Sequence, residues 1–139
     1  MKKPSHPKAP KPAASLAGFG AIPTDVCQSV GDVLGRVGDK WSILTIAMLS
    51  GGSMRFSELK RSLGSISQKV LTSTLRGLER DGYISRAVTP SIPPRVDYEL
   101  TELGHDVLVR VIALAQWALS QHQRVRQARA EFDSFTAKH

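Results

Sequence analysis

SISQKVLTSTLRGLERDGYISR, residues 65–86, decides the fold. Leu71, Leu75 and Leu78 fall on one stripe at helical spacing, and Asp81-Gly82 stops the run. Followed in 100° steps, the opposite side carries Lys69, Thr72, Ser73 and Arg76, with Ser67 and Gln68 at the leading end. Hydroxyls crowd the segment at Ser65, Ser67, Thr72, Ser73 and Thr74. Ser65 and Gln68 have capping-box spacing, which predicts a helix from about Ile66 to Arg80.

The neighbouring segments give this helix a context. SELKRSL (57–63) reads as a short helix capped by Ser57, with Leu59 and Leu63 four apart, and Gly64 breaks it. Met54-Arg55-Phe56 is too short to classify alone. WSILTIAML (41–49) is apolar on every side, the pattern of a helix buried mid-domain. Upstream, Val26, Val30, Val33, Leu34 and Val37 predict an amphipathic helix over 25–37, capped by Thr24 and ended by Gly38. Downstream come two short extended runs. YISRAV (83–88) is expected to bury Ile84 and Val88, and RVDYEL (95–100) alternates Val96, Tyr98 and Leu100 with charged residues. TPSIPP joins them, and Pro93-Pro94 supports neither helix nor ladder pairing. Thr101 then caps a long last helix whose apolar residues wrap more than one face. One face can cover the domain's own core; the rest calls for a partner.

Two helices across a tight turn followed by a two-stranded ribbon make a winged helix-turn-helix, a mostly α chain with a small β-wing (α+β). The predicted organisation is a flexible basic Pro/Lys tail over 1–23, the domain over 24–125, and a C-terminal helix end or tail over 126–139.

Charge is concentrated. Of a formal net +7, residues 1–23 contribute Lys2, Lys3, Lys8 and Lys11 with no acid; between Met54 and Arg95 stand eight Lys/Arg against three Asp/Glu. Such a stretch fits a polyanion, nucleic acid before anionic membrane. LAGFGAI is too short and Gly-broken for a secretory core, and no run approaches bilayer-spanning length, so cytoplasm is expected. A nucleophile–base pair, a phosphate-cradling Gly loop and paired carboxylates are all missing, which argues against an enzyme. His105 and His122 stand too far apart for a metal pair, so neither metal nor cofactor is expected.

The open face of the 66–80 helix suits DNA. Gln pairs with adenine edges, Arg or Lys with guanine, and small hydroxyl side chains let the backbone approach. A helix from 66 to 80 spans about 21 Å, enough to lie along a major groove roughly 12 Å wide. Arg86 and Arg95 flank the ribbon, with Ser91 at its tip, as candidate phosphate or minor-groove contacts. Asp97 is an alternative, intramolecular partner for Arg95. Arg55 and Lys60 read equally as phosphate contacts or surface charges, and Lys40 reads as a phosphate anchor beside a core Trp41.

The order GDKW (38–41), RFSEL (55–59), ISQKVLTSTLRGLERDG (66–82), PPRVDY (93–98) and LTELG (100–104) resembles the HxlR-type winged helix-turn-helix regulators, a MarR-like branch of bacterial transcription factors. The resemblance runs from Cys27 to roughly Gln121. It implies a homodimer joined through the first and last helices and bound to repeated promoter DNA. It also implies that Ser67, Gln68, Lys69, Thr72, Ser73 and Arg76 lie on the groove-reading helix. Many members carry Pro directly after the N-terminal Cys; Gln28 stands there in this chain.

Cys27 is the chain's one cysteine, so an intramolecular disulfide is excluded. It lies in the first turn of a predicted helix, where the dipole favours a reactive thiolate and Asp25 opposes it. In several branches of the resembling family this position senses oxidants or electrophiles; the competing reading is a small inert residue at a dimer interface. The expected function is a homodimeric, sequence-specific DNA-binding regulator, a repressor, with an oxidant or small-molecule effector. The alternative is a winged-helix module that docks a protein.

Overall fold

The computed structural model describes residues 24–137, so the expected basic tail over 1–23 lies outside the described residues. Chain contacts divide at Gly35/Arg36. To Gly35 the described chain is helical, within α1 (Thr24–Gly38). Val26, Val33 and Leu34 are exposed there, while Cys27 and Val30 are half-buried.

From Arg36 onward the order is α2 (Lys40–Leu49), β1 (Met54–Arg55), α3 (Phe56–Leu63), α4 (Gln68–Arg80), β2 (Ile84–Thr89), β3 (Arg95–Leu100) and α5 (Glu102–Ala137). The strands form an antiparallel sheet in the order β1-β3-β2, with β3 central. Met54 pairs with Tyr98 and Arg55 with Asp97, so the segment too short to classify by sequence is a third strand. Two residues have no period to read; only their partner defines them. The ribbon runs in register from Ile84 opposite Leu100 to Thr89 opposite Arg95. Its last four residues reach past the sheet's covered end, so Val88, expected to be buried, is exposed.

The core gathers Ile46 and Leu49 from α2, Leu59 from α3, Leu71, Leu75 and Leu78 from α4, and Tyr83, Ile84 and Leu100 from the ribbon. Helix α2 is less apolar inside than its sequence suggested. Its buried residues are Ser42, Thr45, Ile46 and Leu49, while Met48 is exposed. The buried hydroxyls are satisfied locally: Ser42 donates to the Asp39 carboxylate (3.1 Å) and Thr45 to the Trp41 carbonyl (2.7 Å). Asp39 also accepts from the Ser42 backbone N–H (3.0 Å) and so caps the helix. Helix α3 starts one residue early. Arg55 stands at its N-cap without a side-chain bond, and Ser57 lies inside the helix rather than capping it. The strand β1 delivers the chain directly into the first turn, which leaves no room for the expected cap.

A short tract of backbone chemistry joins α4, the ribbon and α5. After Asp81, Gly82 takes φ 83°, its N–H bonds the Glu79 carbonyl (3.1 Å) and the Tyr83 N–H bonds the Leu78 carbonyl (2.9 Å). That is a Schellman closure, with Tyr83 folded back onto Leu78. Thr101 fastens the other side. Its hydroxyl donates to the Gly82 carbonyl (2.6 Å) and accepts from the Gly104 N–H (3.1 Å), as the capping Thr predicted by the sequence should. Gly104 is buried, and a Cβ there would collide with the Tyr83 carbonyl oxygen and press on Leu100. Gly104→Ala should therefore lose about 1–3 kcal/mol by overpacking, despite the roughly 1 kcal/mol gain in helix propensity. A urea titration at fixed protein concentration checks this; an unchanged midpoint contradicts the close approach.

Candidate nucleic-acid interface

Helix α4 is oriented by one face. Leu71, Leu75 and Leu78 are at most 2% exposed, and Thr74 and Gly77 are buried beside them. Thr74 thus belongs to the inner side, beside the leucines. Ser67, Gln68, Lys69, Thr72, Ser73 and Arg76 are all exposed. The helix begins two residues later than expected. Ile66 is buried in the core at 2% exposure, so the chain must dip inward before it turns helical. Ser67, extended at φ −74° and ψ 156°, is consequently the N-cap, accepting from the Val70 N–H at 3.1 Å, and Ser65 stays outside the helix.

The far end is held by a residue that the sequence gave no reason to single out. The Arg36 guanidinium lies across Gly77 and its Nε bonds the Asp81 carboxylate at 2.9 Å. A glycine at 77 leaves the space the guanidinium occupies. The signal existed as Gly77 inside an otherwise regular helix, where glycine costs helix propensity and implies close packing.

The wing and flanking cations are each engaged within the chain. Arg86 lies 3.6 Å from Glu79, Arg95 bonds Asp97 at 3.0 Å, and Arg55 is 4.0 Å from Glu58. These pairs are largely exposed, so each contributes at most about 1 kcal/mol and can exchange partners cheaply. Lys40 lies over the Trp41 ring, 4.7 Å from its centroid. Ser91 donates to the Pro93 carbonyl (2.8 Å), which braces the wing tip where Ile92 is wholly exposed.

Between α4 and the ribbon runs a cleft of about 620 Å³ whose polar lining comes from Thr72, Arg76, Arg80, Arg86, Glu79 and Tyr98. Burial holds the Tyr98 phenol above its ordinary pKa; Arg86 pulls it down, Glu79 pushes it up and Arg76 pulls it down again. It remains an O–H donor at neutral pH. Arg80 and Tyr98 therefore join Arg76 and Arg86 on one surface, a grouping created by ribbon packing rather than by sequence spacing. Among the described residues no three His, Cys, Asp or Glu side chains cluster to hold a metal ion.

This arrangement has close counterparts. Residues 36–126 match the family described as HxlR-like helix-turn-helix. The chain belongs to that family. An uncharacterized HTH-type transcriptional regulator, YtfH, of Escherichia coli (strain K12) is 43% identical over 86 residues, 62% of this chain and 68% of that protein. Among solved structures, the redox regulator HypR in its oxidized form aligns with TM-score 0.61 and 37% identity over 66% of this chain and 95% of that one. The reduced transcriptional regulator YodB from B. subtilis aligns with TM-score 0.59 and 32% identity, over 65% and 88%. The HxlR-like match begins at Arg36, so Cys27 falls before it.

The cap assignment is directly measurable. Ser67→Ala should cost about 1 kcal/mol of stability and Ser65→Ala close to nothing. The reverse ranking in thermal denaturation would return the cap to Ser65.

Proposed function

We propose that this HxlR-like chain is a sequence-specific DNA-binding transcriptional regulator, a repressor acting in the cytoplasm as a homodimer on promoter DNA. One observation carries the reading. The leucine face of α4 is sealed into the core while Gln68, Lys69, Thr72, Ser73 and Arg76 stand together on the open side. Those groups match base edges and phosphates, and a helix is the element a major groove admits. In this reading Ser67, Gln68, Lys69, Thr72, Ser73 and Arg76 line the groove. Arg86, Ser91, Arg95, Arg55 and Lys40, with Arg80 and Tyr98 added, approach the backbone. Phosphates displace Glu79, Asp97 and Glu58 from their arginines on binding. A two-fold dimer presents its two α4 helices about 34 Å apart, one turn of DNA. No described helix is long and apolar enough to cross a membrane.

If each subunit neutralises about four phosphates, log K falls against log salt with a slope near −7. Arg76→Ala should cost about 1–3 kcal/mol and relax preference at one position per half-site. Binding of labelled promoter fragments across a salt series reads both. A flat salt response overturns duplex binding, and uniform weakening over all sequences removes Arg76 as a base reader.

Cys27 is proposed as the oxidant-responsive group. Support comes from the similarity to the redox regulator HypR and from a half-buried position in the first turn of α1. With one cysteine per chain, the oxidised product is either a Cys27 disulfide between subunits or a mixed disulfide with a small thiol. Diamide should lower promoter affinity for the native protein and leave Cys27→Ser unchanged; an equal response from both assigns sensing elsewhere.

A further inference from the structure

Helix α5 is far longer than its own core needs. Its 36 residues extend about 54 Å, yet only Gly104 and Val111 are buried. It also carries a repeat that continues past the end of the HxlR-like match at 126. From Val107 and Val111 the stripe steps in alternating fours and threes through Leu114, Ala118, Gln121, Val125, Ala128, Phe132 and Phe135. That is a heptad pattern with one polar member, Gln121. Its first turns meet the chain's own core, where Val107 packs. Beyond them the stripe faces solvent, with Leu114 at 51% and Phe132 at 67% exposure.

We propose that residues 116–137 pair with the same segment of a second copy as an antiparallel two-stranded coiled coil, Val125 of each chain facing Ala128 of the other. This deepens the homodimer proposed above and rests on that self-association, but not on DNA binding. Size complementarity favours the register, since it sets Phe132 against Gln121 and Phe135 against Ala118, large against small at each end. Charge selects it. Arg124 and Glu131 flank the stripe on one side, and in this register Arg124 of each chain faces Glu131 of the other, giving two ion pairs. Sliding by one heptad sets Arg124 against Arg124 in one direction and Glu131 against Glu131 in the other. A parallel pair would oppose Arg124 to Arg129 twice. Flanking charges set orientation and register in coiled coils. The other flank sets His122 against Arg129 and adds no attraction. Within one chain Arg124 donates to the Gln121 amide oxygen (3.1 Å), and Glu131 accepts from the Gln127 amide (3.4 Å), so both are held at the seam's edge.

The test uses full-length protein without DNA, in a Cys27→Ser background so that introduced thiols report alone. Gln121→Cys and Phe132→Cys variants are mixed, exchanged and mildly oxidised. The antiparallel register predicts a mixed disulfide between the two variants and little self-linkage of either. Like positions would lie about 16 Å apart along the axis, beyond disulfide reach. Sedimentation equilibrium supplies a second reading that needs no thiol. Arg124→Glu should weaken association on the order of tenfold, and adding Glu131→Arg should restore it. Self-linkage of each single variant, or tighter association of Arg124→Glu, overturns the proposal in favour of parallel pairing. Dimers by sedimentation that give no cross-link and ignore the charge swap overturn it while leaving the homodimer standing. Monomers at all concentrations overturn both.

Discussion

Everything on the open side of α4 depends on how its closed side is seated. Leu71, Leu75 and Leu78 meet Ile46 and Leu49 of α2 and Leu59 of α3 in one core, and each is almost wholly removed from water. Burying a leucine is worth roughly 1.5–3 kcal/mol, so rolling α4 by even one position would expose much of that area. Hydrophobic packing thus fixes the rotation of the helix, and the polar side chains opposite inherit a fixed direction. Arg36 across Gly77 and the Ser67 cap secure the two ends; neither could set the rotation alone.

The second constraint is how the wing is placed relative to α4. Gly82 turns the chain in the left-handed region, Tyr83 returns onto Leu78, and Thr101 bonds both to Gly82 and to the start of α5. Helix end, ribbon base and last helix therefore share one small knot of hydrogen bonds. The cleft holding Arg76, Arg80, Arg86 and Tyr98 follows from it, because the ribbon can leave α4 only at the angle this knot permits. Glu79, Asp97 and Glu58 each pair with a neighbouring arginine. Such exposed pairs contribute little to stability and can exchange partners.

A long helix with two buried residues is not explained by its own domain. Isolated helices are marginal in water unless an apolar face is covered. In the proposed pairing, the heptad stripe of α5 supplies that cover from a second copy, and Arg124 with Glu131 sets its orientation.

Much was legible in the sequence because local physics sufficed. The leucine spacing of α4, the turn at Asp81-Gly82, the Thr101 cap and the strand over 95–100 each depend on residues a few positions apart, and each appears where the pattern put it. What tertiary structure decided involves partners distant in sequence. Met54-Arg55 is a strand only because β3 lies beside it. Ser67 rather than Ser65 caps α4 because Ile66 is drawn into the core, and Thr74 faces inward with it. Arg36 reaches Asp81 across 45 residues, and Arg80 and Tyr98 become neighbours only when the ribbon folds back. Periodicity reports which side of an element is buried; it carries no information about which distant residue will cover it.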